Sequence, residues 1–187
     1  MKSEKEKMLA GELYDSSDPH LENERKRARR LVYEFNGSHP DEESKRTSLI
    51  QELIRAEGWF KIEPPFHCDY GYNIEVGTGF YANFNCVVLD VNKVKIGRNV
   101  MFGPGVQIYT AGHPSDPQGR LKNLEFGKQV TIGDNVWIGG GVIICPGVKI
   151  GSATTIGAGS VVTRDVPEKV VAAGNPCRVL KAITAGE

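Results

Sequence analysis

The chain has 187 residues, 40% of them hydrophobic and 25% charged, with 23 Lys+Arg against 23 Asp+Glu and a formal net charge of zero. That length fits one domain, or one with a small appendage, and the charge balance argues against a dedicated nucleic-acid binder, which carries a basic excess. No apolar run reaches the ~18 residues of a spanning helix, and Met1–Lys7 leads into no signal-peptide core, so the expectation is a soluble, cytoplasmic protein with no membrane partner.

Cys68, Cys86, Cys145 and Cys177 are widely spaced with no C-x-x-C pair, which reads as free, mostly buried thiols and no metal site. Glycine is over-used, at 22 residues, against an average of about 7% of a chain.

Residues 1–59 carry a helical pattern. Glu4–Leu13 predicts a short first helix. Asp18-Pro19 is a start signal, because Asp at the N-cap accepts from orphan N–H groups and Pro fits the first helical position. Leu21, Ala28, Leu31, Val32 and Phe35 then fall on one face, and Asn36-Gly37 supplies the stop. Another helix is expected after His39-Pro40, with Leu49, Ile50, Leu53 and Ile54 as its buried stripe and Gly58 as its end. The basic run Arg25, Lys26, Arg27, Arg29 and Arg30 reads as a solvated face, with anion or substrate binding as the alternative. Arg25 lies near the edge of the apolar stripe and is expected to point along the body of the protein.

From Val76 onward the period becomes six. Ile132, Ile138, Ile144, Ile150, Ile156 and Val162 recur without a break, and each is followed by a small residue: Gly133, Gly139, Cys145, Gly151, Gly157 or Thr163. Val76, Ala82, Val88, Ile96, Phe102 and Ile108 repeat the pattern earlier. The step of eight from Val88 to Ile96 implies a two-residue insertion around Asp90–Lys93. A hexapeptide repeat is the signature of a parallel β-helix: each unit makes one flat face with its aliphatic residue inward, and three units close a triangular coil. Residues 76–167 make roughly four to five coils. The domain reading is a helical segment over 1–59 and a β-helix over 60–187, with a loop at 111–127 and a C-terminal tail.

The loop, Ala111–Gly127, is polar, contains two prolines and largely leaves the repeat. His113 sits at its root. A His held where an ordered coil meets a loop fits three roles: general base, structural hydrogen-bonder or metal ligand. A zinc site of three convergent His is disfavoured, because the solenoid and its loop hold only His113, with His67 just before it. A purely structural solenoid needs repeats but no embedded His loop.

Several segments occur in a telling order: Glu63-Pro64-Pro65, Asp69-Tyr70-Gly71-Tyr72-Asn73, Phe80-Tyr81-Ala82-Asn83-Phe84-Asn85 and Thr110-Ala111-Gly112-His113-Pro114. Asn135-Val136-Trp137-Ile138-Gly139 and Ala172-Ala173-Gly174-Asn175-Pro176-Cys177-Arg178 follow. Together with the repeats and the N-terminal helices, they resemble the sugar O-acetyltransferases of the hexapeptide-repeat acyltransferase family, and its maltose branch most.

The resemblance implies a left-handed, mainly β fold, a homotrimer with sites between subunits, and acetyl transfer from acetyl-CoA to a sugar hydroxyl without a metal. His113 matches the catalytic base. Asp69, Tyr81 and Asn83 match acceptor-site positions, and Arg25 a further one. Gly140, Ala158, Thr163, Arg164, Arg178 and Lys181 match positions lining the acetyl-CoA site. Ser16 and Val91 fall where the galactoside enzymes have acceptor-binding Asp residues, which points away from a galactoside and toward the 6-hydroxyl of glucose or maltose. Another acceptor class, such as a galactoside, an amino acid or a xenobiotic, is the alternative.

The chemistry of the residues agrees. An alcohol needs its proton removed as it attacks a thioester, and an imidazole with an ordinary pKa near ~6.5 is matched to that task. A backbone N–H near Gly139-Gly140 is a candidate donor to the oxyanion, and Glu125 is the candidate to orient the imidazole.

Overall fold

The computed structural model describes residues 1–184. Four helices form. Helix α1 (Glu4–Ala10) opens on a capping box, with Ser3 accepting from the Glu6 amide and Glu6 accepting from that of Ser3. It ends before Leu13 because Gly11, at φ 74°, turns the chain left-handed and returns its amide to Lys7 and Met8. Helix α2 (Pro19–Asn36) starts where Asp18-Pro19 predicts, the Asp18 carboxylate accepting from His20 and Leu21, and it buries the expected stripe from Leu21 to Phe35.

Helix α3 (Glu43–Leu53) buries Ile50 and Leu53, but it stops five residues short of Gly58. The reason is tertiary. Arg55–Ala56 is already a strand, paired in parallel with Glu75–Val76, so its backbone groups serve the sheet. Helix α4 (Pro117–Leu121) is a single turn and a half at the tip of the loop.

The rest is a triangular parallel solenoid. Its first face stacks Arg55–Ala56, Ile74–Val76, Val94–Ile96, Val130–Ile132 and Lys149–Ile150. The second stacks Phe60–Ile62, Phe80–Ala82, Met101–Phe102, Trp137–Ile138, Thr155–Ile156 and Val170–Ala173, and the antiparallel strand Arg178–Ala182 closes its end. The third stacks Phe66–Cys68, Cys86–Leu89, Gln107–Tyr109, Ile143–Ile144 and Val161–Val162. Three strands per coil make five coils and the start of a sixth.

Register explains the period. Ile96, Ile132 and Ile150 lie side by side, as do Phe102, Ile138 and Ile156, and Ile108, Ile144 and Val162. All nine are at most 5% exposed. Each such side chain contributes roughly 1.5–3 kcal/mol by leaving water. The residue after each aliphatic turns the corner against the next coil, where space is scarce: a Cβ on Gly139 would lie 2.5 Å from the Ala158 nitrogen.

The open end of the first coil would expose this core. Ala28, Leu31, Val32, Phe35, Ile50 and Leu53 of α2 and α3 join the solenoid side chains in one apolar cluster and cap it. A smaller cluster, Met8, Tyr14, Leu21, Tyr70 and Val91, fastens the N-terminal segment to the insertion after the second coil. The loop folds as a hairpin, Ala111–Gly112 against Leu124–Gly127, and Tyr14–Asp15 adds a third antiparallel strand.

Candidate active site

The hairpin holds His113 directly after its first strand, where Gly112 pairs with Phe126. The imidazole is about half exposed, and its Nδ1 lies 3.3 Å from the Leu124 carbonyl oxygen. A carbonyl only accepts, so Nδ1 carries the proton in this contact, and in the neutral ring Nε2 keeps its lone pair. Nε2 lies 3.9 Å from Glu125 Oε1, beyond hydrogen-bond reach but close enough for charge to act. The ring is thus oriented by the main chain of Leu124, with Glu125 placed on its other nitrogen.

Glu125 is itself held. The Tyr14 hydroxyl donates to its Oε2 at 2.7 Å. Tyr14 is buried, and burial together with the facing carboxylate pushes its phenol far above the ordinary range, so it stays a donor. Neither Tyr14 nor the Leu124 carbonyl carries a motif that would single it out in the sequence.

Asp69 belongs to the same neighbourhood. Burial raises its pKa and the Glu125 charge adds to the shift, while Arg25 and Arg29 oppose it. Arg25 does lie along the body of the protein. Its Nη1 donates to the Tyr70 hydroxyl at 2.6 Å and its Nη2 to the Ser16 carbonyl at 2.7 Å. Burial drives the Tyr70 phenol up to about 12 against the pull of Arg25.

Ser16 and Val91, the two positions expected to bear on acceptor choice, are otherwise engaged. The Ser16 hydroxyl donates to the Asn123 carbonyl at 3.0 Å, and Val91 is buried in the smaller apolar cluster.

The sequence-predicted residues divide between two edges of the triangular prism. Asp69 follows a third-face strand, Phe66–Cys68, and so turns the edge between the third face and the first. His113 and its hairpin occupy the same edge one coil beyond the insertion, and Thr163 and Arg164 turn it again after Val161–Val162. Tyr81 lies on the second face, and Asn83 turns the edge between second and third faces, as Gly140 and Ala158 do in later coils. The third-face strand Cys86–Leu89 separates the two edges, and four residues of strand span about 13 Å. One chain therefore brings His113, Asp69 and Arg25 together but not Tyr81 or Asn83.

The second edge is built for close approach. Asn83 spends its Oδ1 on the Phe84 amide at 2.8 Å, leaving its Nδ2 donors. The amides of Gly139 and Gly141 are spent on Ile156 and Pro104 carbonyls, which leaves the Gly140 N–H between them. Cations collect at the C-terminal end, where Arg164, Arg178 and Lys181 are exposed. Arg178 keeps one bond, from Nη1 to the Cys177 carbonyl at 2.8 Å. A cleft of about 510 Å³ lined by Arg46, Trp59, Lys61 and Glu63 opens between α3 and the first coils and contains none of these residues. Among the described residues, no three His, Cys, Asp or Glu side chains are grouped to hold a metal ion.

Comparison with known proteins places this geometry. Residues 7–58 match the maltose acetyltransferase hexapeptide capping motif, and residues 129–164 match the bacterial transferase hexapeptide of six repeats. The crystal structure of a maltose O-acetyltransferase from Clostridium difficile 630 superposes with a TM-score of 0.97 at 52% identity over 98% of both chains. A galactoside acetyltransferase in complex with coenzyme A superposes with a TM-score of 0.94 at 45% identity, over 98% of this chain and 92% of that one. Nodulation protein L of Rhizobium meliloti is 49% identical over 179 residues, 95% of this chain and 98% of that protein. The capping helices, the left-handed parallel β-helix and these likenesses agree: the chain is an acetyltransferase of the hexapeptide-repeat acyltransferase family, in the group of the maltose, galactoside and nodulation acetyltransferases.

Proposed function

We propose that this chain transfers the acetyl group of acetyl-CoA to the 6-hydroxyl of glucose or of a maltose-type sugar, with His113 as general base. The observation that carries the reading is the state of the His113 ring: Nδ1 is tied to the Leu124 carbonyl at 3.3 Å and Nε2 faces Glu125 at 3.9 Å. Nε2 takes the sugar proton as the hydroxyl oxygen attacks the thioester carbonyl carbon. Glu125 stabilises the imidazolium that results, and the Gly140 N–H donates to the tetrahedral oxyanion. Collapse breaks the C–S bond, and the imidazolium returns its proton to the departing thiolate of CoA.

Asp69 accepts from sugar hydroxyls, and each such charged hydrogen bond is worth roughly 1.5–3 kcal/mol. Arg25 borders the same space and fixes Ser16 and Tyr70 around it. Tyr81 and Asn83 complete the acceptor site from the neighbouring subunit of a homotrimer, since within one chain they lie on the other edge of the prism. Gly140 and Ala158 offer backbone to the pantetheine arm, Thr163 lines its path, and Arg164, Arg178 and Lys181 supply cations for the phosphates. The placement of Ser16 and Val91, neither of which presents a carboxylate, supports a glucose-type acceptor over a galactoside.

The test is acetyl-CoA-dependent acetylation of glucose by the wild type and His113→Ala. Turnover is expected to fall about 100-fold or more with the KM for acetyl-CoA unchanged; turnover near that of the wild type would remove His113 as the base.

A further inference from the structure

The insertion that breaks the hexapeptide phase places a carboxyl group where no repeat would put one. Asp90 is fully buried, and its Oδ1 accepts from two consecutive amides, Asp69 at 3.0 Å and Tyr70 at 2.9 Å. Those two residues carry the acceptor-side carboxylate and the hydroxyl that receives Arg25. The backbone of Asp90 is pinned in turn, its carbonyl accepting from Asn73 Nδ2 at 2.8 Å. Two residues on, Asn92 Nδ2 bonds the Met8 and Gly127 carbonyls, each at 3.1 Å, and its amide donates to Thr110 Oγ1 at 2.9 Å. The extra residues thus reach α1, the return strand of the His113 hairpin and the turn that bears Asp69.

We propose that Asp90 is a positioning residue for the acceptor side of the site, acting through the backbone amides of Asp69 and Tyr70. The proposal rests on the acceptor role of Asp69 given above. A carboxyl oxygen bridging two successive amides fixes the direction in which both side chains leave the turn. The Asp69 carboxylate and the Tyr70–Arg25 pair then stand at a set height beside His113. The second oxygen, Oδ2, is buried without a partner, as is Asn73 Oδ1. Burial and the nearby Asp69 push the Asp90 carboxyl up to about 7, the two amide bonds opposing the shift. Its work is therefore done by one accepting oxygen and does not need the charge.

That separates two substitutions. Asp90→Asn keeps an oxygen for the two amides, and Asp90→Ala removes it. With glucose as acceptor, Asp90→Ala is expected to raise the glucose KM roughly tenfold, the equivalent of about one hydrogen bond of transmitted disorder, with the acetyl-CoA KM unchanged. Asp90→Asn is expected to stay within about threefold of the wild type. Asp69→Ala serves as the control. If it leaves the glucose KM unchanged, the acceptor reading of Asp69 fails and the proposal fails with it. If Asp69→Ala raises the glucose KM and Asp90→Ala does not, only the positioning role is overturned. A parallel rise in both KM values, or an Asp90→Asn variant as impaired as Asp90→Ala, also overturns it. Should Asp90→Ala fail to fold, Asp90→Ser, whose hydroxyl is too short to span both amides, is read in the same way.

Discussion

Tyr14 and Glu125 are 111 residues apart in sequence, and the hydroxyl of one donates to the carboxylate of the other at 2.7 Å. The bond crosses the antiparallel pair that Tyr14–Asp15 makes with Leu124–Glu125. The N-terminal segment therefore does more than cap the solenoid; it fixes the group that faces His113 Nε2. Removing the hydroxyl leaves the carboxylate in place but frees its rotamer. Tyr14→Phe is expected to lower kcat about three- to tenfold with little change in either KM, and Glu125→Ala to lower it further. Steady-state kinetics with both substrates varied checks this; a Tyr14→Phe variant with unaltered kcat would mean that Glu125 needs no support.

The division of site residues between two prism edges makes a prediction about subunits. In the homotrimer proposed above, whose interfaces would be heterologous, His113 would come from one chain and Asn83 from the next. His113→Ala and Asn83→Ala homotrimers are each expected to be nearly inactive. Co-expressed in equal amounts, they should recover about a quarter of the wild-type activity per site, because one arrangement in four pairs two intact residues. No recovery in purified mixed trimers would place the whole site in one chain.

Asp90 also sets a pH dependence of stability. Its pKa is raised from the ordinary 3.8 to about 7 in the folded chain. A carboxyl group with a raised folded-state pKa contributes stability that is complete below about 3.8 and is lost as pH climbs through about 7. Asp90→Asn is neutral throughout and escapes that loss. The melting temperature of the variant minus that of the wild type should rise between pH 4 and pH 7 and then level off. A difference that does not change over this window would show that Asp90 ionises freely in the folded state.

Much of this architecture could be read from the residues. The six-residue period survives because each inward aliphatic stacks on its own phase, so pattern and packing are the same fact. Asp18-Pro19 marked the start of α2 because capping is a local interaction. The end of α3 was not local: Ile54 keeps the helical phase, and only the parallel pairing of Arg55–Ala56 with the next coil stops the helix. The proposed site was read where a motif carried it, at His113, Asp69 and Asn83. Expecting Glu125 to orient the imidazole captured its proximity, but the bond to Nδ1 belongs to the Leu124 carbonyl, which no side-chain pattern could reveal. Tyr14 and Asp90 escaped notice because each acts across the chain; in the sequence one is a single aromatic and the other part of an insertion.

The central claim is that His113 activates a primary sugar hydroxyl toward acetyl-CoA, and the most direct test reads both acceptor and position. kcat/KM for glucose, maltose and isopropyl thiogalactoside is measured at saturating acetyl-CoA, and the acetyl position in each product is read by NMR. Glucose or maltose acetylated at the 6-position, with the galactoside poorer and transfer lowered about 100-fold or more in His113→Ala, is the predicted result. Preference for the galactoside, acetylation of a ring hydroxyl, or turnover near that of the wild type after loss of the imidazole would contradict it.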